Sequence, residues 1–242
     1  MHLRKSVKDR ALSSALKPWV FGLLAIFAMG AADAAFAQEA SLYPSFSFDL
    51  NYGLTTMKSK LVESNDTGSA LGYSLGGFAG SGKNIEFNLG FEKDVATFAL
   101  NDSKISYDWQ DTKIRYHYGY FYAGIVFSRL NLMATSAGTE IIDAAGSGYG
   151  GSLGFYAPVG RGGSLRIDVT QVNIAAMKNS IATEVSVPSR LDIDIGAAID
   201  IWGKWLDFTF GYRMRTLSLE TDAAYAESES STYLGLRMST TR

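Results

Sequence analysis

The chain has no cysteine, four prolines and two histidines among its 242 residues. Without cysteine there are no disulfide cross-links, so a secreted form of this protein has to be stabilised by other means. The same absence excludes thiol catalysis and cysteine-ligated metal sites. Histidine chemistry is also restricted, because only His117 follows the N-terminal segment.

Positive charge is scarce once the first 37 residues are set aside. That segment holds five of the 22 Lys and Arg residues and two of the 24 Asp and Glu residues, which leaves the remainder with a net charge of −5. A modestly acidic chain argues against nucleic acid as a partner, because nucleic acids attract basic surfaces. We therefore expect no nucleic-acid binding.

The N-terminal segment has the three parts of a signal peptide. Residues 1–17 are basic, residues 19–32 (WVFGLLAIFAMGAA) are apolar, and an Ala-x-Ala motif ends at Ala37. The apolar part is shorter than the roughly 20 residues that a spanning helix needs, which disfavours the alternative of an uncleaved membrane anchor. The sequence predicts a signal peptide over 1–37 and a mature chain of about 205 residues over 38–242, the size of one β-barrel or sandwich domain.

Beyond residue 37 there is no apolar stretch long enough for a transmembrane helix. A mature protein embedded in a membrane could therefore only be a closed barrel, since lipid tolerates no unpaired strand edge. The stretch RLDIDIGAAIDIW (190–202) alternates aspartate with isoleucine. This alternation fits either a half-buried strand of a soluble sheet or a barrel strand with lipid on one face and a polar lumen on the other.

Ten alternating runs separated by turn residues follow one another along the mature chain. They lie near 45–57, 69–79, 84–95, 104–117, 120–132, 147–157, 164–175, 189–202, 205–217 and 229–240. The pattern predicts an all-β fold, a transmembrane antiparallel up-and-down β-barrel of ten strands, with eight or twelve strands as alternatives. The strand count is most open to error at residues 96–110, which could hold an extra short hairpin.

The connections between these runs alternate in length. Short ones lie at 80–83, 117–120, 157–163 and 203–204, and longer polar ones at 59–68, 96–103, 134–146, 176–187 and 218–229. Outer-membrane barrels have tight periplasmic turns and longer external loops. The order of the connections predicts both termini on the periplasmic side. The positions of the prolines support this division into strands and turns. Pro44 and Pro188 begin runs and Pro158 lies in a short turn, where a missing N–H is tolerated.

A two-residue turn at Gly203-Lys204 would set the register of the eighth and ninth runs. It places Trp202 opposite Trp205, Asp192 opposite Arg215 and Asp194 opposite Arg213, with the isoleucines on the other face. The charged face of each run then predicts the lumen lining. Its members are Asp49, Glu86, Glu92, Lys113, Arg115, Arg166, Asp168, Asp192, Asp194, Asp200, Asp207, Arg213, Arg215 and Arg237.

Two interpretations of this mixed-charge lumen stay open. Charges that interlock as ion pairs would form a structural plug, since a charge left alone inside a barrel is costly. Alternatively, they line a narrow polar conduit that selects solutes.

Aromatic residues are expected to form girdles at the two membrane interfaces, where an amphipathic ring is favoured. The predicted girdle residues are Tyr116, Tyr118, Tyr120, Tyr122, Tyr156, Trp202 and Trp205 beside the short turns, and Tyr107 and Trp109 at the opposite end.

Catalytic and ligand-binding motifs are weak. His117 lies at a short turn, too far along the strands from Ser106 and Ser128 for a nucleophile–base pair, and is interpreted as a girdle residue. The glycine-rich stretch 146–154 lacks the lysine of a phosphate loop and is interpreted as a flexible loop that enters a strand. We predict no catalytic residue, no cofactor and no metal site. Four acids, interpreted as solvated loop charge with divalent-cation binding as the alternative, are Glu220, Asp222, Glu227 and Glu229.

The whole pattern resembles the small bacterial outer-membrane β-barrels over essentially the entire mature chain. Asp192 and Asp194 resemble the acidic pairs of the omptin proteases, which also have ten strands, but those enzymes place a histidine near the external rim, whereas His117 is at the other end. Barrels of this class typically end in an aromatic residue that the assembly machinery reads, and this chain ends YLGLRMSTTR (233–242). That departure leaves two interpretations, a different natural C-terminus or a weaker assembly signal.

The resemblance implies a protein of a Gram-negative outer membrane. Its expected function is a narrow porin-like channel or a structural barrel with loops for interaction, and the alternative is a hydrolase or acyltransferase acting on lipid or peptide. Expected partners are outer-membrane lipid and lipopolysaccharide, the assembly machinery, and either a small solute or a surface ligand.

Overall fold

The computed structural model of the chain describes residues 43–80, 82–99, 102–159, 163–180, 184–203, 205–222 and 224–240. The predicted signal peptide over 1–37 and its cleavage site lie outside these ranges. Within them, no helix is long and apolar enough to cross a membrane.

Ten antiparallel strands form a closed barrel in which each strand pairs with its sequence neighbours and β1 pairs with β10. The prediction of ten strands is confirmed. Residues 96–98 end β3 and residues 103–110 begin β4, so the described residues of this region form no additional strand. The strands are β1 Ser47–Ser59, β2 Ser64–Ala79, β3 Ile85–Phe98, β4 Ser103–Tyr118, β5 Phe121–Ser136, β6 Thr139–Val159, β7 Gly163–Asn179, β8 Val185–Trp202, β9 Leu206–Glu220 and β10 Ala224–Ser239.

The predicted contrast between short turns and long loops is wrong. The connections at both ends of the barrel are two to five residues long, because at least half of each predicted loop continues the adjoining strands. Residues 134–146, for example, contain the end of β5, the start of β6 and a tight turn at Ala137-Gly138. Both turn residues have positive φ, as type I′ hairpin turns require. The glycine-rich stretch 146–154, predicted as a flexible loop that enters a strand, lies entirely within β6.

The physical reason is that the apolar side chains change from the outer face to the inner face of the strands halfway along the barrel. We call the half that contains residues 43 and 240 the proximal half and the other half the distal half. In proximal β9, Phe210 and Tyr212 face outward while Arg213 faces inward. In distal β9, Leu217 and Leu219 face inward and are buried, and hydroxyl side chains face outward. An apolar alternation that changes face in mid-strand looks like a loop when read from sequence alone.

The reversal gives the barrel two apolar surfaces. Around the proximal half, large apolar side chains form a lipid-facing band on the outside of the wall. In the distal half, apolar side chains fill the interior and form what we call the distal core. The band includes Leu50, Tyr52, Leu54, Leu71, Tyr73, Phe87, Ile114, Ile125, Phe127, Ile167, Ile195, Phe208, Phe210, Tyr212, Leu234 and Leu236. The distal core includes Met57, Phe98, Ile105, Tyr107, Trp109, Leu130, Leu132, Ile174, Val187, Leu217 and Leu219.

The register between β8 and β9 has Asp192 opposite Arg215 and Asp194 opposite Arg213, as predicted. The prediction for the turn itself is wrong, because Trp202 pairs with Leu206 and not with Trp205. A register shift after Asp200 adds a residue to the connection, which then spans residues 203–205. The two tryptophan rings nevertheless lie side by side, with centroids 6.1 Å apart.

Candidate functional site

The interior of the proximal half is filled by charged side chains from most strands, which we call the charged layer. All fourteen residues predicted to line the lumen are buried or half-buried there. The strand period of two explains their placement, since each occupies the face opposite the lipid-facing band. Whether they line a conduit is a question of function, and it is taken up below.

Glu86 is the centre of the first group of ion pairs. Its Oε1 accepts hydrogen bonds from Arg115 Nη1 at 3.1 Å and from Arg166 Nη2 at 2.6 Å, while His117 Nε2 lies 2.8 Å from Oε2. Arg115 also bonds to Asp168 on β7. Because His117 faces inward and is buried against Glu86, its interpretation as a girdle residue is wrong.

The second group centres on Arg215. Its guanidinium donates to Asp192 Oδ1 at 3.1 Å, to Glu92 Oε1 at 2.8 Å and to Asp94. The neighbouring Arg213 donates to Asp194 at 2.8 Å and also contacts Glu92. Carboxylates of β3 therefore reach across the barrel to arginines of β9, and the two walls are held by charge-assisted hydrogen bonds.

Arg190 anchors the third group and is completely buried. It donates to Asp111 Oδ2 at 2.5 Å and to Ser128 Oγ at 3.0 Å, and its Nε lies 3.2 Å from Asp192 Oδ2. Its guanidinium carbon lies 4.4 Å from the centroid of the Trp109 ring, a cation–π contact. This contact joins the charged layer to the distal core.

Sequence reasoning missed several interior charges. Asp94, Asp111 and Arg190 share strand faces with Glu92, Lys113 and Asp192, so the alternation itself carried the signal. Glu227 and Glu229, interpreted as solvated loop acids, are buried inside β10.

Glu227 has a structural role in the first hairpin. It accepts hydrogen bonds from Ser59 Oγ and from the backbone N–H groups of Lys60 and Leu61, at 3.0–3.1 Å. The carboxylate therefore fixes the turn between β1 and β2. Of the other two loop acids, Glu220 ends β9 and Asp222 lies in the turn that follows, and both are exposed. In the described part of the chain no cluster of three or more potential metal ligands occurs.

A cavity of about 180 Å³ lies within the charged layer. Its walls include Ser74, Asn88 and Tyr233 as well as the ion pairs. Glycines at 196 and 211 leave the space for the Tyr233 ring, because a Cβ at either position would overlap its hydroxyl group. A polar cavity of this size is suited to ordered water.

Aromatic rings close the proximal end of the interior, and we call them the aromatic plug. It consists of Tyr43, Phe78, Tyr122 and Tyr156, with the His117 ring among them. Tyr43 precedes β1, and its ring lies 4.8 Å from Phe78 and 5.4 Å from Tyr156 between centroids. Burial raises the pKa of its hydroxyl to about 12, so Tyr43 stays neutral. Lys83 Nζ donates to the Tyr43 carbonyl at 2.5 Å and holds this segment in place.

The aromatic girdle prediction is therefore only partly consistent with the structure. Tyr116, Tyr118, Trp202 and Trp205 are exposed on the outer wall at the proximal end, and Tyr120 is half-buried in a turn. Four predicted girdle residues face inward instead, because the strand period of two places each of them on the inner face of its strand. These are Tyr107 and Trp109 in the distal core and Tyr122 and Tyr156 in the aromatic plug.

Solved structures similar to this chain are outer-membrane β-barrels. Neisserial surface protein A matches with a TM-score of 0.46 and 11% identity, over 82% of this chain and 99% of that one. The outer-membrane protease OmpT of Escherichia coli has a TM-score of 0.42 and 9% identity, over 86% and 99% of the two chains. The toluene transporter TodX of Pseudomonas putida has 0.31 and 10%, over 86% and 95%. No protein family and no curated protein matches the sequence.

The architecture itself defines the class. A closed antiparallel barrel with an apolar band outside and a polar interior is the form in which β-strands cross a bilayer. The chain is a closed ten-stranded β-barrel with the surface pattern of a membrane-spanning barrel.

Proposed function

We propose that this protein is a non-conducting structural barrel of the outer membrane, whose distal half presents a rigid polar surface outside the bilayer. The observation that carries the proposal is the closure of the interior on both sides of the charged layer. The distal core closes one side and the aromatic plug closes the other.

The distal core supports closure because its side chains come from opposite walls and meet in the centre. Ile105, Leu130 and Ile174 have no measurable exposure. An ion that crossed this layer would lose its hydration without gaining a polar partner, which costs far more than thermal energy.

The charged layer supports the same conclusion. Arg115, Arg190 and Arg215 each bind at least two carboxylates, so their charges are already neutralised within the wall. An arrangement of this kind locks strands together and offers few free charges to a passing solute. It therefore fits the structural plug better than the selective conduit.

The hydrogen-bond partners of the histidine, serine and aspartate side chains in the interior support a non-enzymatic role. Catalysis by a serine requires the imidazole within hydrogen-bond reach of the hydroxyl. His117 Nε2 is engaged by Glu86, and the buried Ser128 contacts Asp111 at 2.6 Å instead. Asp192 and Asp194, the acids that raised the protease comparison, are paired with arginines.

Single-channel recording tests the proposal. Purified protein inserted into a planar bilayer is expected to produce no stable conductance steps at neutral pH. Heat-modifiable migration of the same sample on gels serves as the control that the barrel is folded. Stable, ion-selective steps from folded protein would overturn the proposal in favour of the narrow channel.

A second prediction uses the absence of cysteine and tests the aromatic plug. Ser74→Cys places a single thiol in the cavity, and we expect it to react slowly with a membrane-impermeant thiol reagent. Adding Tyr43→Ala should speed labelling by about tenfold or more, because the plug loses its one member outside the strands and a reagent reaches only opened states.

Two controls accompany this experiment. Ser228→Cys is exposed on the outer wall and should label rapidly, and Tyr118→Ala removes an exposed tyrosine at the same end without touching the plug. Rapid labelling of Ser74→Cys with Tyr43 intact would contradict a closed interior. Equal rates with Tyr43→Ala and Tyr118→Ala would show that Tyr43 does not close this end.

A further inference from the structure

The outer wall changes from apolar to polar at the distal edge of the lipid-facing band, and one sector of that edge is basic. On β3, Phe91 is followed on the same face by Lys93, and on β5, Phe127 is followed by Arg129. On β1, β2 and β9 the equivalent step leads to a neutral hydroxyl, from Leu54 to Thr56, from Leu71 to Ser69 and from Met214 to Thr216.

The two cations flank a single strand. Lys93 lies opposite Asp108 of β4, and Arg129 lies opposite Gln110, the next outward residue of the same strand. Neighbouring strands are about 4.8 Å apart, so both side chains can reach one ligand in front of β4. Lys93 Nζ lies 3.3 Å from Asp108 in an ion pair in which both side chains are strongly exposed. Such a pair is weak and can be rearranged by an incoming anion.

A crevice of about 140 Å³ extends from this pair along the outer wall of the distal half. Its lining combines cations with groups that bind hydroxyls. Lys93 and Lys104 supply positive charge, while Asp108, Asn131 and Asp143 supply carboxylate and amide oxygens. All of these belong to β3–β6, beyond the lipid-facing band.

We propose that this crevice, together with Arg129, binds the phosphorylated sugar headgroup of lipopolysaccharide. The location of the crevice favours this ligand. With the distal half facing outward, the edge of the apolar band lies at the height of the headgroups of the outer leaflet. The chemistry agrees with it. Lysine and arginine bind phosphate, and carboxylate and amide groups accept hydrogen bonds from sugar hydroxyls.

The test measures how much lipid A the protein purified from the outer membrane retains in detergent micelles, by native mass spectrometry. Lys93→Gln with Arg129→Gln should lower the bound fraction about tenfold, which corresponds to about 1.4 kcal/mol. The matched control is Lys58→Gln with Lys178→Gln, which removes the same charge from exposed positions on β1 and β7. It should change the bound fraction less than twofold. Lys93→Arg with Arg129→Lys should restore binding.

Two further probes separate phosphate from sugar. Lipid A without its phosphates should bind the native protein no better than it binds the Lys93/Arg129 variant. Asn131→Ala should lower lipid A binding but not the binding of phosphatidylglycerol, which has no sugar headgroup.

Equal retention of lipid A by the native protein and the Lys93/Arg129 variant would overturn the proposal. So would phosphatidylglycerol binding that matches lipid A in strength and in its response to every variant. Neither result bears on conductance, so this inference and the closed barrel can fail separately.

Discussion

Arg190→Met is expected to lower the free energy of unfolding by about 3–5 kcal/mol, because it leaves buried carboxylates without their cation. Asp111 depends on Arg190 most, through two hydrogen bonds of 2.5 and 3.1 Å. Asp192 keeps Arg215 and so is less affected. Urea unfolding of protein refolded into lipid vesicles measures the loss, with the urea dependence of the transition checked for constancy.

A second change separates the lost ion pair from lost packing. Adding Asp111→Asn to Arg190→Met should recover part of the stability, since the uncompensated negative charge disappears. Arg129→Met, at an exposed site on β5, is the control and should cost no more than about 1 kcal/mol. If Arg190→Met costs as little as Arg129→Met, the interior ion pairs do not hold the walls together.

Ile195→Arg is expected to destabilise the barrel by about 2–4 kcal/mol, the penalty for a cation near the bilayer midplane. Ile195 faces outward within the lipid-facing band and pairs with Tyr212 and Ile167. Asp194→Asn, one residue away on the inner face, should cost less. Its partner Arg213 keeps Glu92, so no charge is stranded completely. The same urea unfolding in vesicles compares the two variants.

The control is Thr216→Arg, on the outer face of β9 beyond the band, where the side chain meets water. We expect it to change stability little. Arg213→Gln in the Asp194→Asn background should recover part of the smaller loss. If Ile195→Arg is tolerated while Asp194→Asn is severe, the assignment of lipid and lumen faces is inverted. Equal costs for Ile195→Arg and Thr216→Arg would mean that the band does not end where the polarity changes.

The strand count and the facing of the charged and aliphatic residues of the proximal half could be predicted from the sequence, because both depend on local alternation. A period of two tells which side chains share a face, and a hairpin fixes which residues stand opposite each other. Asp192–Arg215 and Asp194–Arg213 follow from one hairpin and need nothing more distant than the next strand. Errors of one residue arise only where a register shift intervenes, as at Trp202.

The interior site required the closed barrel, because its contacts join strands that are not neighbours in sequence. Glu92 of β3 meets Arg215 of β9, and Glu86 of β3 meets Arg166 of β7, across an interior that exists only once β1 and β10 have paired. Alternation shows that these residues face inward, but it does not show at which height they meet.

The distal core and the aromatic plug were decided by tertiary structure for a related reason. Apolar side chains of an alternating strand face outward where lipid surrounds the barrel and inward where water does. The facing of residues such as Leu217 and Leu219 can therefore be assigned only when the height of the bilayer along the strand is known. Tyr43 belongs to no alternating run at all, and its place in the plug depends on a mouth built by several strands. The sequence alone determined a barrel with two kinds of face, and the three-dimensional packing determined which side chains fill its interior and at which height they meet.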